Sequence, residues 1–356
     1  MANSEKEESF SLSSDSDDTD TGSSSSFQRS KYSKIFPDRA SHWKLEHLLE
    51  LSVFYDEKAT DLGKFISDLK TLKYVARGGL SEMPRISHTI MQYTKELWNF
   101  SYDYYKETGG ETWEARDQIE RATEAFEEKE NDMEEQMKSF GGNWKRLFFG
   151  WKINLFEFWR HFSMLLQRLG QATPTEGRFK HLFMPFSRIF FLSPEPGQAF
   201  IEHMVIKDVV VRGTPAVRFN TFQDKYLKVF IVTEVKLYDA LKGNFNSETF
   251  TFRNVGKEVL GQHGIELLME RKGSFFFPYV VGILCIGTLV ILTYLHIDED
   301  HFHQIEEKGK LNKTSKATIS YTRPFDFMDT SDRQEILESF FWLGYVQSNA
   351  YQFKWK

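Results

Sequence analysis

The chain has 356 residues, enough for about two domains, and its 40% hydrophobic content is sufficient for a packed core. Its formal net charge of −6 lacks the basic field that phosphate neutralisation requires, so we expect no nucleic-acid partner. The single cysteine, Cys285, excludes an intramolecular disulfide and a cysteine-based zinc site.

The N-terminal segment, residues 1–38, is rich in serine and acidic residues and poor in apolar ones, which predicts a disordered acidic tail. It has no basic region followed by an apolar run, so we expect no secretory signal. Hydroxyl side chains beside acids are typical of sites for acid-directed kinases, and plain solvated disorder is the alternative. The candidate phosphorylation sites are Ser13, Ser14, Ser16 and Thr19.

Residues 39–172 have apolar positions at steps of three and four, which predicts a helical bundle. Within it, residues 111–140 carry eleven acids against four bases, whereas residues 143–170 are basic. Both segments keep a heptad-like apolar seam, and Gly141 and Gly142 between them are typical of a helix end. We therefore predict an antiparallel helical hairpin of coiled-coil type, with one acidic and one basic arm.

The basic arm of the hairpin has a wider apolar arc than one partner helix could cover. Burial at the centre of the bundle is the interpretation that we favour. The alternatives are a helix that lies in the headgroup region of a bilayer and a helix that binds a protein partner. The aromatic residues that would make the membrane or partner contact are Trp144, Phe148, Trp151, Phe158, Trp159 and Phe162.

Residues 173–272 change to alternating, turn-punctuated patterning, which predicts a small antiparallel β-rich subdomain. The clearest strand spans 226–238, and a weak helical pattern interrupted by glycines follows over 257–272. The predicted fold class up to this point is mainly α with a smaller β-rich part, that is, α+β. The charged residues assigned to the face of the 226–238 strand opposite its apolar side chains are Lys228, Glu234 and Lys236.

The segment 275–295 contains no charged residue over 21 positions. As a helix it would extend roughly 30 Å, the hydrocarbon thickness of a bilayer. Phenylalanine and tyrosine side chains at its two ends resemble the aromatic belts of membrane interfaces. The pattern predicts a single-pass transmembrane helix near the C-terminus, so the lipid bilayer is a predicted partner.

This transmembrane helix would divide the chain into a cytosolic N-terminal part and a translocated C-terminal tail, residues 298–356. The predicted location is an endomembrane, the endoplasmic reticulum or the nuclear envelope, with the N-terminus cytosolic and the C-terminus lumenal. Asn312 begins an Asn-Lys-Thr sequon, so it is the candidate glycosylation site on the lumenal side.

Catalytic signatures such as a nucleophile elbow, a phosphate-binding glycine loop or a metalloprotease helix do not occur in the sequence. We therefore expect no cofactor and predict no enzyme. Glu234 and Asp239 have no spacing that marks them as a catalytic pair. Imidazoles and carboxylates that could bind a divalent ion cluster after the apolar segment, although a solvated juxtamembrane stretch explains them as well. These weak metal candidates are His296, Asp298, Asp300, His301 and His303.

These features predict a membrane-anchored cytosolic scaffold, tether or adaptor. It would bind an unidentified protein partner, or a second copy of itself, through the helical hairpin. A membrane-remodelling or pore-forming protein that uses the aromatic helix 143–170 is the first alternative. A membrane-bound enzyme that acts on lipid without a recognisable motif is the second.

Overall fold

The computed structural model describes residues 36–102, 112–169, 174–197, 201–223, 225–242, 247–309 and 316–350. The helices are α1 (Leu45–Glu50), α2 (Leu62–Lys70), α3 (Lys73–Arg77), α4 (Arg85–Leu97), α5 (Thr112–Lys138), α6 (Trp144–Leu169), α7 (Glu176–Ile189), α8 (Lys257–Met269), α9 (Glu299–Lys308) and α10 (Thr330–Ala350). The strands are β1 (Val53–Tyr55), β2 (Pro194–Pro196), β3 (Glu202–Ile206), β4 (Val209–Gly213), β5 (Val217–Gln223), β6 (Tyr226–Lys236), β7 (Tyr279–Ile286), β8 (Leu289–His296), β9 (Ala317–Tyr321) and β10 (Phe325–Asp326).

One large mixed sheet forms the centre of the molecule, in the strand order β1-β9-β8-β7-β6-β5-β2, with β10 paired to β8. The pairs β1–β9 and β6–β7 are parallel, and the remaining pairs are antiparallel. A separate ribbon contains β3 and β4. The fold is therefore α+β around a large sheet. The predicted combination of a mainly helical chain, a small antiparallel subdomain and a membrane-spanning helix is wrong.

The apolar segment 275–295 is a β-hairpin and not a transmembrane helix. Its arms are β7 and β8, paired from Tyr279 with His296 to Ile286 with Leu289. The two-residue turn begins at Gly287, which has φ +62°, the left-handed conformation that a primed hairpin turn needs at its first central position. Many of the arm residues are valine or isoleucine, which favour strands. No described helix combines the length and the apolar content required to cross a bilayer.

The reason for the uninterrupted apolar sequence is that β7 and β8 are central strands with helices on both faces. On one face Ile283 and Leu292 belong to the core cluster that also contains residues of α4, α6, α7 and α10. On the other face Val280 and Leu295 pack with residues of α8 and α9. Strands buried on both faces have no alternating polar positions, so their sequence resembles that of a membrane span.

Helix α8 connects β6 to β7 and packs on the sheet between them, as parallel neighbouring strands require. Its glycines, which weakened the helical pattern in the sequence, lie under α1. A Cβ at Gly261 would overlap the Lys44 backbone, and one at Gly264 would overlap the Leu48 side chain. Close helix packing therefore explains both glycines.

The helices of the N-terminal half pack directly on the opposite face of the sheet. A single core cluster extends from Leu62 to Val346 and includes sheet residues such as Phe219. Residues 298–356, which were predicted to be a translocated tail, supply β9, and β9 pairs with β1. Residues from both sides of the predicted span thus share one sheet.

Candidate functional site

A β-bulge in β6 determines which side chains of this strand point towards α8. Val229 pairs with Asn220 and Ile231 pairs with Phe219, so Phe230 is an extra residue opposite β5. Beyond the bulge, Val235 points into the large core cluster. Alternation along a strand then turns Glu234 and Lys236 towards the α8 face.

These two β6 residues meet polar side chains from two helices. Lys236 Nζ lies 2.8 Å from Glu234 Oε1 and 3.4 Å from Glu176 Oε1, at the first turn of α7. On α8, Gln262 Nε2 donates to Glu266 Oε1 at 3.0 Å. We call Glu176, Glu234, Lys236, Gln262 and Glu266 the acid–lysine cluster.

The two inner carboxyl groups of this cluster are almost completely buried, with Glu234 3% and Glu266 2% exposed. Burial raises the pKa of Glu234, against the opposing effect of the Lys236 ammonium. Burial also raises the pKa of Glu266 well above its ordinary value, and the neighbouring Glu234 carboxyl adds to the rise. Two close carboxyl groups in an apolar setting ionise one at a time, so the pair holds a proton to a higher pH than an exposed glutamate would.

The Oε2 atoms of both carboxyl groups have no donor partner among the described residues. A proton shared between Glu234 and Glu266 would satisfy them, and so would a bound cation. Burial by itself would lower the pKa of Lys236, but the Glu234 and Glu176 carboxyl groups raise it above its usual value. Lys236 is therefore a cation at neutral pH.

The cluster is closed on its inner side and open at the end of β6. Lys236 is the last residue of the strand, and its side chain is 18% exposed, whereas that of Glu176 is 50% exposed. In sheets with parallel strands, ligand sites form beyond the carboxyl ends of the strands. The carboxyl ends of β6 and β7 lie at this edge, so a ligand would approach Lys236 first.

A buried histidine lies beside the cluster on α8 without joining it. Burial lowers the pKa of His263 to about 3, so its imidazole is neutral at neutral pH. Its Nε2 lies 2.8 Å from Thr293 Oγ1 on β8. Gly282 of β7 leaves the space for the ring, because a Cβ there would lie 2.9 Å from His263 Cε1. We assign His263 a packing role.

The predicted metal residues do not converge. His296 stacks on Tyr279 with ring centroids 4.9 Å apart, and Asp298 is the residue before α9. His301 is buried, and its Nε2 donates to the Leu51 carbonyl at 3.0 Å, while Asp300 and His303 are exposed. Among the described residues no three His, Cys, Asp or Glu side chains form a group that could hold a metal ion.

The aromatic residues proposed as membrane or partner contacts are core residues. All six side chains are buried, and Trp151 donates from Nε1 to Thr94 Oγ1 of α4 at 3.0 Å. Helix α5 packs along α6, where Lys152 Nζ lies 2.6 Å from Glu130 Oε1. The exposed apolar side chains of α6 are Phe149, Ile153 and Met164, so partner binding through the hairpin would use those residues.

The candidate modification sites Ser13, Ser14, Ser16, Thr19 and Asn312 lie outside the described residues. The acid–lysine cluster, by contrast, was missed in the sequence although its signal is there. Glu234 and Lys236 are two apart in a strand whose other positions are nearly all apolar, so their side chains must share one covered face. The contribution of α8 has no local signal, because it depends on the crossover between β6 and β7.

Comparisons with protein-family models, with curated proteins and with solved structures find no match for this chain.

Proposed function

We propose that the chain is a divalent-metal-dependent hydrolase of phosphate esters, with the acid–lysine cluster as its catalytic centre. The observation that supports this most is the position of Lys236. Its ammonium is held by Glu234 and Glu176 at the open edge of the site, directly in front of the buried Glu234–Glu266 pair. A carboxylate pair behind a fixed cation is an arrangement suited to phosphoryl chemistry, in which charge builds up on non-bridging oxygens.

The carboxylate pair fits Mg²⁺ better than a transition metal. Magnesium prefers oxygen ligands, retains several waters and is usually bound through one or two carboxylates plus substrate phosphate. Glu234 and Glu266 each have an Oε2 atom without a donor partner among the described residues, and the Gln262 side chain supplies a further oxygen nearby. A bound Mg²⁺ would supply Lewis-acid polarisation of the phosphate and a water of lowered pKa.

The residues of the chain have separate roles in the proposed reaction. The Lys236 ammonium binds a phosphate oxygen, and Glu176 positions that ammonium from the solvent side. A water molecule adds to phosphorus, the bond from phosphorus to the leaving oxygen breaks, and the proton released by the water passes to a carboxylate of the pair. The carboxyl groups must first lose their shared proton, so activity should rise with pH.

The first prediction tests this proposal with bis(p-nitrophenyl) phosphate as the probe. We expect Mg²⁺- or Mn²⁺-dependent release of p-nitrophenolate by the full chain. Glu266→Gln and Lys236→Met should each lower kcat by about a hundredfold or more, because each removes a charge needed in the transition state. Glu258→Gln is the matched control, since Glu258 lies on the same helix but is exposed. It should retain wild-type activity.

The proposal is wrong if the wild-type chain turns over neither this diester nor the monoester p-nitrophenyl phosphate with any divalent ion. It is equally wrong if turnover is unchanged in both Glu266→Gln and Lys236→Met. A thermal melt of each variant distinguishes a lost reaction from a lost fold.

A further inference from the structure

A wide cleft lies at the opposite end of β6 from the acid–lysine cluster. Its volume is about 890 Å³. The walls come from α3 and the residues after it, from the β5–β6 hairpin and from the residues that precede β7. The lining residues are Lys73, Tyr74, Arg77, Gly78, Leu80, Gln223, Tyr226, Lys228, Ser274, Phe275 and Phe277.

The cleft is cationic. Lys73, Arg77 and Lys228 line it, and none of its described lining residues is acidic. Across the described chain, these three side chains form no salt bridge, in contrast to Lys236, Arg218 or Arg271. Like charges that converge in a concave surface without partners attract an anion strongly.

The same cleft exposes aromatic rings. Tyr226 is 72%, Phe277 52% and Tyr74 36% exposed, although aromatic side chains elsewhere in the described chain are mostly buried. Arg271 covers Phe277 on one side, with its guanidinium carbon 5.0 Å from the ring centroid. Tyr74 packs edge-on against Phe275 at 5.2 Å, which fixes its ring at the wall. Exposed rings beside such cations are the combination that binds a planar base attached to phosphate.

Two observations separate this cleft from the acid–lysine cluster. Lys228 and Lys236 are eight residues apart along one strand, which is roughly 26 Å at 3.3 Å per residue. The cleft also opens on the opposite face of the sheet, where Phe230 and Phe275 belong to the large core cluster. A ligand in the cleft would therefore not contact Glu234.

We propose that this cleft binds a small nucleotide, with the base against Tyr226 and Phe277 and the phosphates on Lys73, Arg77 and Lys228. The volume is within the range of pockets for cofactor-sized ligands, which favours a mononucleotide over a polymer. Arg77 offers paired N–H donors to phosphate, and the two lysines add point charges. The proposal does not depend on the hydrolase function.

The test is isothermal titration calorimetry of the full chain with ATP, adenosine and tripolyphosphate as separate probes, without divalent ions. ATP should bind, and adenosine and tripolyphosphate should each bind roughly tenfold more weakly, because each retains only half of the contacts. The double variant Lys73→Met/Arg77→Met and the single variant Tyr226→Ala should each weaken ATP binding by roughly tenfold. Tyr226→Phe keeps the ring and should bind as wild type does.

The double variant Lys58→Met/Lys64→Met, at two exposed positions outside the cleft, is the charge-matched control and should leave ATP affinity unchanged. Glu234→Gln should also leave it unchanged, which separates this proposal from the catalytic one. The inference fails if millimolar ATP gives no binding heat, or if the cleft variants with wild-type melting temperatures bind ATP normally. It also fails if a single-stranded oligonucleotide binds much more tightly than ATP through the same residues, because the cleft would then be a polymer site.

Discussion

At the residue scale, the acid–lysine cluster has two opposing electrostatic effects: Lys236 stabilises a neighbouring negative charge, and burial disfavours charge on Glu234 and Glu266. Lys236 needs a negative partner, and Glu234 at 2.8 Å supplies it. Burial raises the pKa of Glu266, and the neighbouring Glu234 carboxyl raises it further. Both carboxyl groups therefore have a raised pKa, and they lie beside the Lys236 ammonium. Buried groups with displaced pKa values are common at functional sites, and structural networks show them too, so the pH behaviour of this pair is informative.

The second prediction concerns the pH dependence of stability. The pKa of Glu266 is raised in the folded state, so its contribution to stability is complete below the ordinary value of 4.5 and is lost as pH rises towards the folded pKa. The Glu266→Gln variant has no ionisable group at this position, so it does not lose stability through this group as pH rises. The unfolding free energy of wild type relative to this variant should fall as pH rises above 4.5, by up to about 1.4 kcal/mol per pH unit.

Urea unfolding at a series of pH values, without divalent ions, measures this difference. Hydrogen bonding lowers the pKa of Glu258, an exposed carboxyl on the same helix, so Glu258→Gln should retain the wild-type pH profile above pH 4.5. A difference between wild type and Glu266→Gln that stays constant with pH would show that Glu266 is ionised in the folded protein and that the two carboxyl groups share no proton.

At the element scale, the β7–β8 hairpin is the feature that sequence patterning describes least well. Residues 275–295 satisfy the length and hydropathy of a membrane span because helices cover both faces of these strands. Only a few local residues in this segment distinguish a β-hairpin from a transmembrane helix. The distinguishing features are the valine and isoleucine residues and Gly287-Thr288, a turn signal between two strands of 8 residues each.

The third prediction uses that turn. Gly287 has φ +62°, and a Cβ there would overlap the ring of Tyr238. Gly287→Val should therefore lower the free energy of unfolding by about 2–4 kcal/mol through backbone strain and collision. In a transmembrane helix the same substitution would be harmless or favourable, since it adds apolar surface.

Chemical denaturation followed by circular dichroism tests this. Gly150→Ala is the control, because Gly150 lies within α6 and a Cβ placed there would have no described neighbour within 4 Å. That substitution should stabilise the protein by about 0.5–1 kcal/mol. A Gly287→Val protein with a wild-type midpoint would contradict the hairpin.

Strand β6 shows a related limit of sequence patterning. Periodicity in the sequence predicts other elements of the chain more closely. Helices α5 and α6, for example, lie close to the predicted hairpin arms. The extra residue at Phe230, however, reverses the faces of the strand midway, and no local pattern marks it. Lys228 and Glu234, assigned to the same face from the sequence, therefore lie on opposite faces, Lys228 in the cationic cleft and Glu234 in the acid–lysine cluster.

At the scale of the whole molecule, the described helices and strands pack around one sheet, and a hydrophobic cluster on one of its faces contains residues of α2 to α7 and of α10. The same hydrophobic cluster joins α2 near the N-terminus to α10 near the C-terminus. Long-range packing of this kind depends on which strands become neighbours. Helices α5 and α6 therefore lie close to their predicted positions, whereas the strand order and the strand character of 275–295 were not predicted. The predicted scaffold function and endomembrane location stay predictions, now without a membrane-spanning helix among the described residues.

The fourth prediction tests the packing of α10 against the N-terminal helices through Arg333 of α10. This residue is 1% exposed, and its guanidinium donates to the carbonyls of Phe327, Trp98 and Phe100, which connects the C-terminal helix to α4. Arg333→Met leaves these buried carbonyls without a donor and should lower the free energy of unfolding by about 2–4 kcal/mol. Fluorescence and circular dichroism should report one common transition at the lowered midpoint.

Arg323→Met is the matched control for this variant. Arg323 pairs with Asp332 near the surface, and its side chain is 28% exposed, so the loss should be below about 1 kcal/mol. If the two probes of Arg333→Met gave separate transitions, the N- and C-terminal regions would be independent units, contrary to the shared core.

The most direct measurement of the proposed catalytic centre is anomalous diffraction from crystals of the full chain grown with excess MnCl₂. We predict a Mn²⁺ peak bound to both Glu234 and Glu266, with carboxylate oxygens at roughly 2.1–2.2 Å, and no such peak in Glu266→Gln crystals. A well-ordered map in which the two carboxyl groups are hydrogen-bonded to each other, with no metal between them at excess Mn²⁺, would contradict the proposed centre.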